Sequence, residues 1–400
     1  MLHHALNLDM VVLPGDTAWP APDPDALAHS QRLAKLIASR IAEAGGWLSF
    51  ADYMALALYA PGLGYYTAGA RKFGAAGDFV TAPELTPLFA GALAAQAMQV
   101  MATCGGQIME LGAGSGRLAV DLMRELARLG RLPDRYAILE VSPDLRQRQQ
   151  ALFAQEAPEL LERVHWLDTL PDRISGLVIG NEVLDALPVH LVRWLDGQVF
   201  ERGVALDESG SAFTWQDRPL VPGALLEAAA VLPAPDGDYL SEIGLAAPGL
   251  VHSLAERLQQ GMLLLLDYGF PRAEYYHPDR VQGSLMCHYR HRAFDDPFYL
   301  PGLTDITAHV EFTLVADAAL EAGLDVLGYT SQAHFLLNCG LLERLHELQP
   351  GSLPYLKQTA AVQKLIQPSE MGELFKVIAL GRGMSPPVLG FAHGDKRHTL

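Results

Sequence analysis

The sequence predicts an α/β domain whose sheet is mostly parallel and doubly wound, with helices on both faces. Three observations carry that prediction. From about Gly106 onward, short and wholly apolar runs alternate with helix-patterned segments, and strands that are apolar on both faces belong to a parallel sheet covered on both sides. A glycine-rich turn, Gly112-Ala-Gly-Ser-Gly116, follows the first such run and opens a helical segment, which is where open α/β sheets bind ligands. Half of the 400 residues are apolar and only 19% are charged, the balance of a chain that buries a large core and not of a disordered one.

The elements follow in order. Residues 1–29, with Pro14, Pro20, Pro22 and Pro24, read as an irregular arm. A helix begins near Ser30 and runs to about Ala44, where Gly45-Gly46 stops it. A second short helix spans Ser49 to Leu58, and Tyr59 to Thr81 is a glycine-rich, aromatic loop, so residues 30–87 form a helical cap with a long ordered loop. Leu88 to Cys104 is rich in Ala and Gly and interrupted by Gln96 and Gln99, which suits a packed helix better than a membrane span. The strands are Gln107–Leu111, Tyr136–Glu140, Val164–Leu167, Gly176–Gly180, Met262–Asp267, Leu324–Tyr329 and Leu374–Leu380, with helices at Arg117–Leu129 and from Pro143 to about Phe153. Right-handed crossovers between them give the double winding. Residues 190–220 alternate polar and apolar around Asp196-Gly197, a hairpin signal. Residues 270–310, rich in Tyr, His, Arg and Pro, read as an insertion over the sheet edge. The core therefore spans 88–385 with insertions near 190–240 and 270–310, and 386–400 is a tail.

Composition narrows the function. The formal charge is −17, from 46 acidic against 29 basic residues, with no dense Lys/Arg run. That disfavours nucleic acid, whose phosphates demand a basic surface, and suits a cationic partner better. Cys104, Cys287 and Cys339 form no CxxC pair, so they read as reduced, buried thiols. His190, His252, His288 and His291 share no ligand spacing, and no metal is assigned. Acidic residues precede the first arginine, Arg32, unlike a transit or signal peptide. The expectation is a soluble, cytoplasmic protein without membrane insertion.

The glycine turn carries the chemistry. Glycines at 112, 114 and 116 let the chain turn tightly and present backbone N–H groups to a ligand at a helix N-terminus. A dinucleotide fingerprint would need its third glycine at 117, which is Arg. The Glu110-x-Gly112-x-Gly114-x-Gly116 form instead resembles motif I of class I S-adenosylmethionine (SAM) methyltransferases. Glu140, ending the second strand, is placed to accept hydrogen bonds from ribose hydroxyls, and Asp168, after the third, to meet an adenine amino group. Asn181 and Glu182 follow the fourth strand. If that turn is helical, Glu182 and Asp185 share a face at i and i+3 and are set to clamp a guanidinium. Asp267, ending the fifth strand, is a third carboxylate at the same rim.

Longer blocks resemble the MidA family of class I SAM-dependent methyltransferases, bacterial relatives of the mitochondrial arginine methyltransferase that assists complex I assembly. The blocks are Gly77-Asp-Phe-Val-Thr-Ala-Pro-Glu-Leu-Thr-Pro-Leu-Phe89, Asn181–His190, Asp267-Tyr-Gly269, Gly283-Ser-Leu with Tyr289-Arg-His291, Asp305–Val310 and Met371–Lys376. Leu285-Met-Cys-His288 departs from the family pattern. The resemblance implies a seven-stranded, Rossmann-like fold with a C-terminal antiparallel pair, SAM as cofactor, and protein arginine methylation, with a respiratory-complex subunit as a partner. It also gives the loop a role: Gly77 permits close approach to the methionine end of SAM, and Asp78 or Glu84 binds its α-ammonium. Two other readings stand beside it: a non-catalytic SAM-binding assembly factor, and an oxidoreductase using a nucleotide cofactor on a similar sheet.

Overall fold

The computed structural model describes residues 21–68, 81–232, 237–385 and 387–400. Helix α1 spans Pro24–Glu43, earlier than expected. The Asp23 side chain accepts from the Ala26 N–H at 2.8 Å and Pro24 opens the first turn, so the proline cluster that read as an arm includes a helix start signal. Its Leu33, Ile37 and Ile41 are fully buried one turn apart. Helix α2, Phe50–Tyr59, is capped by Ser49. Helix α3, Pro87–Cys104, packs Phe89, Leu93, Ala97 and Val100 into the main core.

All seven expected strands form: β1 (Gln107–Leu111), β2 (Arg135–Leu139), β3 (Val164–Leu167), β4 (Ile174–Asn181), β5 (Leu258–Phe270), β6 (Asp325–Ser331) and β7 (Phe375–Arg382). Their order is β6-β7-β5-β4-β1-β2-β3. Strand β7 runs antiparallel to β5 and β6, and the other neighbours are parallel. An eighth strand of two residues, Val310–Glu311, pairs with the end of β5. Helices α4 (Arg117–Arg128) and α5 (Pro143–Glu156) cross over from β1 to β2 and from β2 to β3.

The two faces of the sheet bury separate clusters. Leu177, Ile179, Met262, Leu264 and Leu266 pack with α3 and α4. The alternate residues Val178, Leu263 and Leu265 pack with helices α6 (Ala246–Arg257) and α7 (Phe312–Glu321). Chain directions diverge between β1 and β4, and ligands of such sheets bind beyond the strand ends at that switch point.

The insertions build a second lobe. His190–Leu195 and Gln198–Leu206 form the expected hairpin, with Asp196 and Gly197 both at positive φ. Tyr239–Ile243, Phe213–Pro219 and Leu48–Ser49 extend it to five strands. Residues 270–310 contribute a separate three-stranded sheet of Arg292–Phe294, Met286–Tyr289 and Asp305–Thr307. Cys287 and Ile306 pack with Phe50, Tyr53 and Leu58 of the cap, so that segment joins the cap more than it overhangs the sheet edge. Residues 386–400, expected as a tail, are partly core: Phe391 is buried against Phe335, ring centroids 5.6 Å apart.

Candidate active site

The glycine turn sits on β1 as the sequence predicts. Gly112, Gly114 and Gly116 have φ of 57°, 53° and 85°, a region costly for residues with a Cβ. A Cβ on Gly116 would also lie 3.1 Å from Gln149 Cγ. Gln149, on α5, ties the site together. Its side-chain amide donates to the Gly114 carbonyl and to Glu140 Oε2, both at 2.9 Å, and its Oε1 accepts from the Trp166 indole at 2.9 Å. Glu140 Oε1 accepts from the Ser142 N–H at 2.9 Å.

Glu110 lies beneath this turn. It is 3% exposed and accepts from the Tyr136 hydroxyl at 2.6 Å. Burial, reinforced by Glu140, pushes its carboxyl up to about 7 against that hydrogen bond. Asp168 stands apart, its carboxylate turned to solvent and paired with Arg146 at 2.7 Å. Gly77 and Asp78 lie outside the described residues. Glu84 is on the short helical turn Ala82–Leu85 and accepts from the Ser115 hydroxyl of the glycine turn.

The turn after β4 is not helical, so the i, i+3 face that a helical turn would have given Glu182 and Asp185 does not form. Glu182 has φ of 52°, and its N–H continues the sheet by donating to the Leu266 carbonyl at 2.8 Å. Asp267 then takes the N–H groups of Leu184 and Asp185 on Oδ2, at 2.8 and 3.2 Å, and that of Tyr268 on Oδ1, at 2.9 Å. Asp267 is fully buried, so it shapes the turn from behind and does not stand at the rim as a third open carboxylate.

Glu182 and Asp185 remain electrostatic neighbours despite the changed geometry. The half-buried Glu182 carboxylate accepts from Asn181 Nδ2 at 3.0 Å and from the Ala82 N–H. Burial, then the charge of Asp185, pushes it up to about 8. Asp185 is 6% exposed; its Oδ2 accepts from the Tyr268 hydroxyl at 2.6 Å, and burial raises it to about 6. Asp185 Oδ1 and Asn181 Oδ1 are buried without a well-aligned hydrogen-bond partner, the Ala186 N–H lying near enough to the Asp185 carboxylate to favour its charge, and no lysine or arginine pairs with Glu182 or Asp185 among the described residues.

Asp305, Tyr59, Tyr66 and Val141, like Gln149, escaped sequence reasoning. Asp305 is 1% exposed, accepts from the Tyr66 hydroxyl at 2.9 Å and raises Glu182 further. Tyr59 donates to the Ala186 carbonyl at 2.9 Å and stacks on Tyr66 with centroids 5.5 Å apart. Val141, 62% exposed, is an apolar side chain directly after Glu140. The signal for Asp305 and the tyrosines was present, in the Asp305–Val310 block and the aromatic loop, but nothing in the sequence set them beside Asp185.

The sheet order, its single long antiparallel strand and the glycine turn at the switch point define a methyltransferase of the SAM-dependent α/β class. The chain belongs to a family of S-adenosyl-L-methionine-dependent methyltransferases, whose model matches residues 91–330. A crystal structure from Burkholderia thailandensis bound to S-adenosyl-homocysteine is 50% identical and superposes with a TM-score of 0.93, covering 96% of this chain and 100% of that one. A mitochondrial protein of Drosophila melanogaster named as an arginine methyltransferase NDUFAF7 homolog is 29% identical over 94% of this chain and 91% of its own length. The Danio rerio protein arginine methyltransferase NDUFAF7 is 26% identical over 91% and 90%. Family membership sets aside the oxidoreductase reading.

Proposed function

We propose that this methyltransferase acts on an arginine side chain of a protein partner. The observation that carries the proposal is the cleft chemistry: Glu182 and Asp185 lie together without a cationic partner among the described residues, and the Asp185 Oδ1 is orphaned. Buried carboxylates in that condition favour a cationic ligand that donates hydrogen bonds. The names of the fruit-fly and zebrafish relatives support arginine as that cation. A respiratory-complex subunit is the partner the family resemblance suggests first.

The residues present fit SAM. The positive-φ glycines turn the chain sharply at the helix α4 N-terminus, where unpaired backbone N–H groups favour an anionic group. In this proposal Gly112, Gly114 and Gly116 approach the carboxylate end and Glu84, with Gly77 and Asp78, the α-ammonium. Glu140 holds the ribose hydroxyls, Val141 covers the adenine face, and Asp168 meets its amino group while paired with Arg146. Glu110 acts from beneath, holding the turn. Asn181 bridges the two halves of the site. SAM supplies a methyl group on a sulfonium, so the acceptor nitrogen gains one C–N bond and must shed one proton as the sulfur departs as a thioether.

The protein's task is therefore orientation and charge. A guanidinium stays protonated in proteins, and the attacked nitrogen needs its lone pair in line with the departing bond. Glu182 and Asp185 hold the other nitrogens and keep positive charge on them; the bound guanidinium favours the ionised form of Glu182, whose carboxylate then takes the released proton. Glu182→Gln is expected to keep S-adenosylhomocysteine affinity within about twofold by calorimetry while lowering methylation by at least about a hundredfold. Equal loss of binding and turnover would contradict the acceptor-side assignment. Tight cofactor binding by the wild type with no methylated protein would favour a binding platform.

A further inference from the structure

The 270–310 segment brings one more acid to the cleft than the proposed reaction has used. Asp305 opens the strand Asp305–Thr307, whose pairing with Met286–Tyr289 sets it opposite His288. Its Oδ1 accepts from Tyr66, Tyr66 stacks on Tyr59 at an interplanar angle of 24°, and Tyr59 is bonded to the carbonyl one residue beyond Asp185. The stacked pair thus spans from Asp305 to Asp185. Both phenols experience both acids, and Glu182 experiences both as well. Independently, Asp185 is buried with its Oδ1 lacking a partner, and Asn181 Oδ1 is likewise orphaned on the same turn.

A flat cation with five N–H donors satisfies several such acceptors in one plane, whereas an ammonium presents three donors from a point. Aromatic rings beside it add cation–π attraction. We infer that Asp305 is an acceptor-binding residue that, with Asp185 and the stacked Tyr59–Tyr66 pair, selects a guanidinium over an alkylammonium. Tyr66 is a positioning residue acting through Asp305. The inference rests on the arginine reading above and adds the residues that enforce it.

Calorimetry with agmatine, an alkylguanidinium, and putrescine, its amine counterpart, tests it on the full chain saturated with S-adenosylhomocysteine. The wild type is expected to bind agmatine at least about tenfold tighter than putrescine, the scale of one charge-assisted hydrogen bond. Asp305→Asn removes that preference, Tyr66→Phe reduces it, and the double variant is no worse than Asp305→Asn alone. S-adenosylhomocysteine affinity, unchanged in all variants, shows that they fold; if Asp305→Asn fails that control, Tyr66→Phe decides alone. Undiminished agmatine preference in the folded variants overturns the inference, as does a wild type that binds both probes equally or neither. With a methylated arginine protein in hand, Asp305→Asn should raise KM more than it lowers kcat. An unchanged KM would overturn the role of Asp305 while leaving arginine methylation intact. Asp305-dependent agmatine binding with no arginine ever methylated would uphold the selectivity and overturn the proposed reaction.

Discussion

Asp267 and Glu182 both lie near the ends of core strands, yet one shapes the turn from behind and the other faces the site. Both were readable as carboxylates at strand ends, because an acid after a wholly apolar run stands out. Their depth was not readable: whether such an acid faces the cleft or turns inward depends on which backbone N–H groups the next turn leaves unpaired. Asp267 satisfies three of them. Asp267→Ala is therefore expected to cost about 3 kcal/mol of stability, roughly 1 kcal/mol per bond to a buried acceptor, read from denaturant unfolding. A variant that unfolds like the wild type but is inactive would return Asp267 to the chemistry. Glu182 pays for its position with a positive φ, which costs about 1–3 kcal/mol and clusters at functional sites; sequence gives no sign of it. Gly116 was legible. Gly116→Ala meets both a φ of 85° and the Gln149 contact at 3.1 Å, so about 1–2 kcal/mol of stability should go, along with S-adenosylhomocysteine affinity. Retention of both would mean the turn relaxes freely.

At the scale of elements, the core strands were legible because each is an unbroken apolar run between helices, a pattern with one common explanation. The strands of the second lobe were not, apart from the Asp196-Gly197 hairpin. Met286–Tyr289 and Asp305–Thr307 are short, mix polar and apolar residues, and are held by contacts distant in sequence. The Gly283-Ser-Leu block shows how. Buried Glu242 accepts the N–H groups of Ser284 and Leu285 on Oε1, both at 2.8 Å, and Gly283, at φ of 73°, passes so close that a Cβ would sit 2.4 Å from that oxygen. Gly283→Ala should therefore lower the thermal midpoint and expose Cys287, now fully buried, to thiol reagents. An unaltered midpoint and a protected thiol would show that the contact is not needed. The C-terminal segment was misread for a related reason: Phe391 closes a short apolar run, Val388-Leu-Gly-Phe391, that follows prolines and has no periodicity of its own, and only the fold supplies Phe335 opposite it.

For the whole molecule, the negative charge has a thermodynamic consequence. Burial raises Glu110 to about 7, Glu182 to about 8 and Asp185 to about 6. Between the ordinary carboxylate range and those values the folded chain holds protons that the unfolded chain has released, so stability falls as pH rises through that window. Unfolding free energy in the absence of ligand should therefore decline from about pH 5 to pH 8, and Glu182→Gln should flatten the upper part of the slope. A flat or rising profile in the wild type would place these carboxyls in contact with water or cations. The net charge of −17 as a whole favours solubility.

Heavy-methyl SAM added to lysate from cells lacking this protein, with and without the purified enzyme, followed by mass spectrometry of the protein fraction, tests the central claim most directly. The expected result is a heavy methyl group on an arginine guanidino nitrogen of a discrete protein, absent when Glu182→Gln replaces the wild type. Heavy label confined to lysine or carboxylate side chains, or no labelled protein from an enzyme that binds S-adenosylhomocysteine tightly, would contradict it.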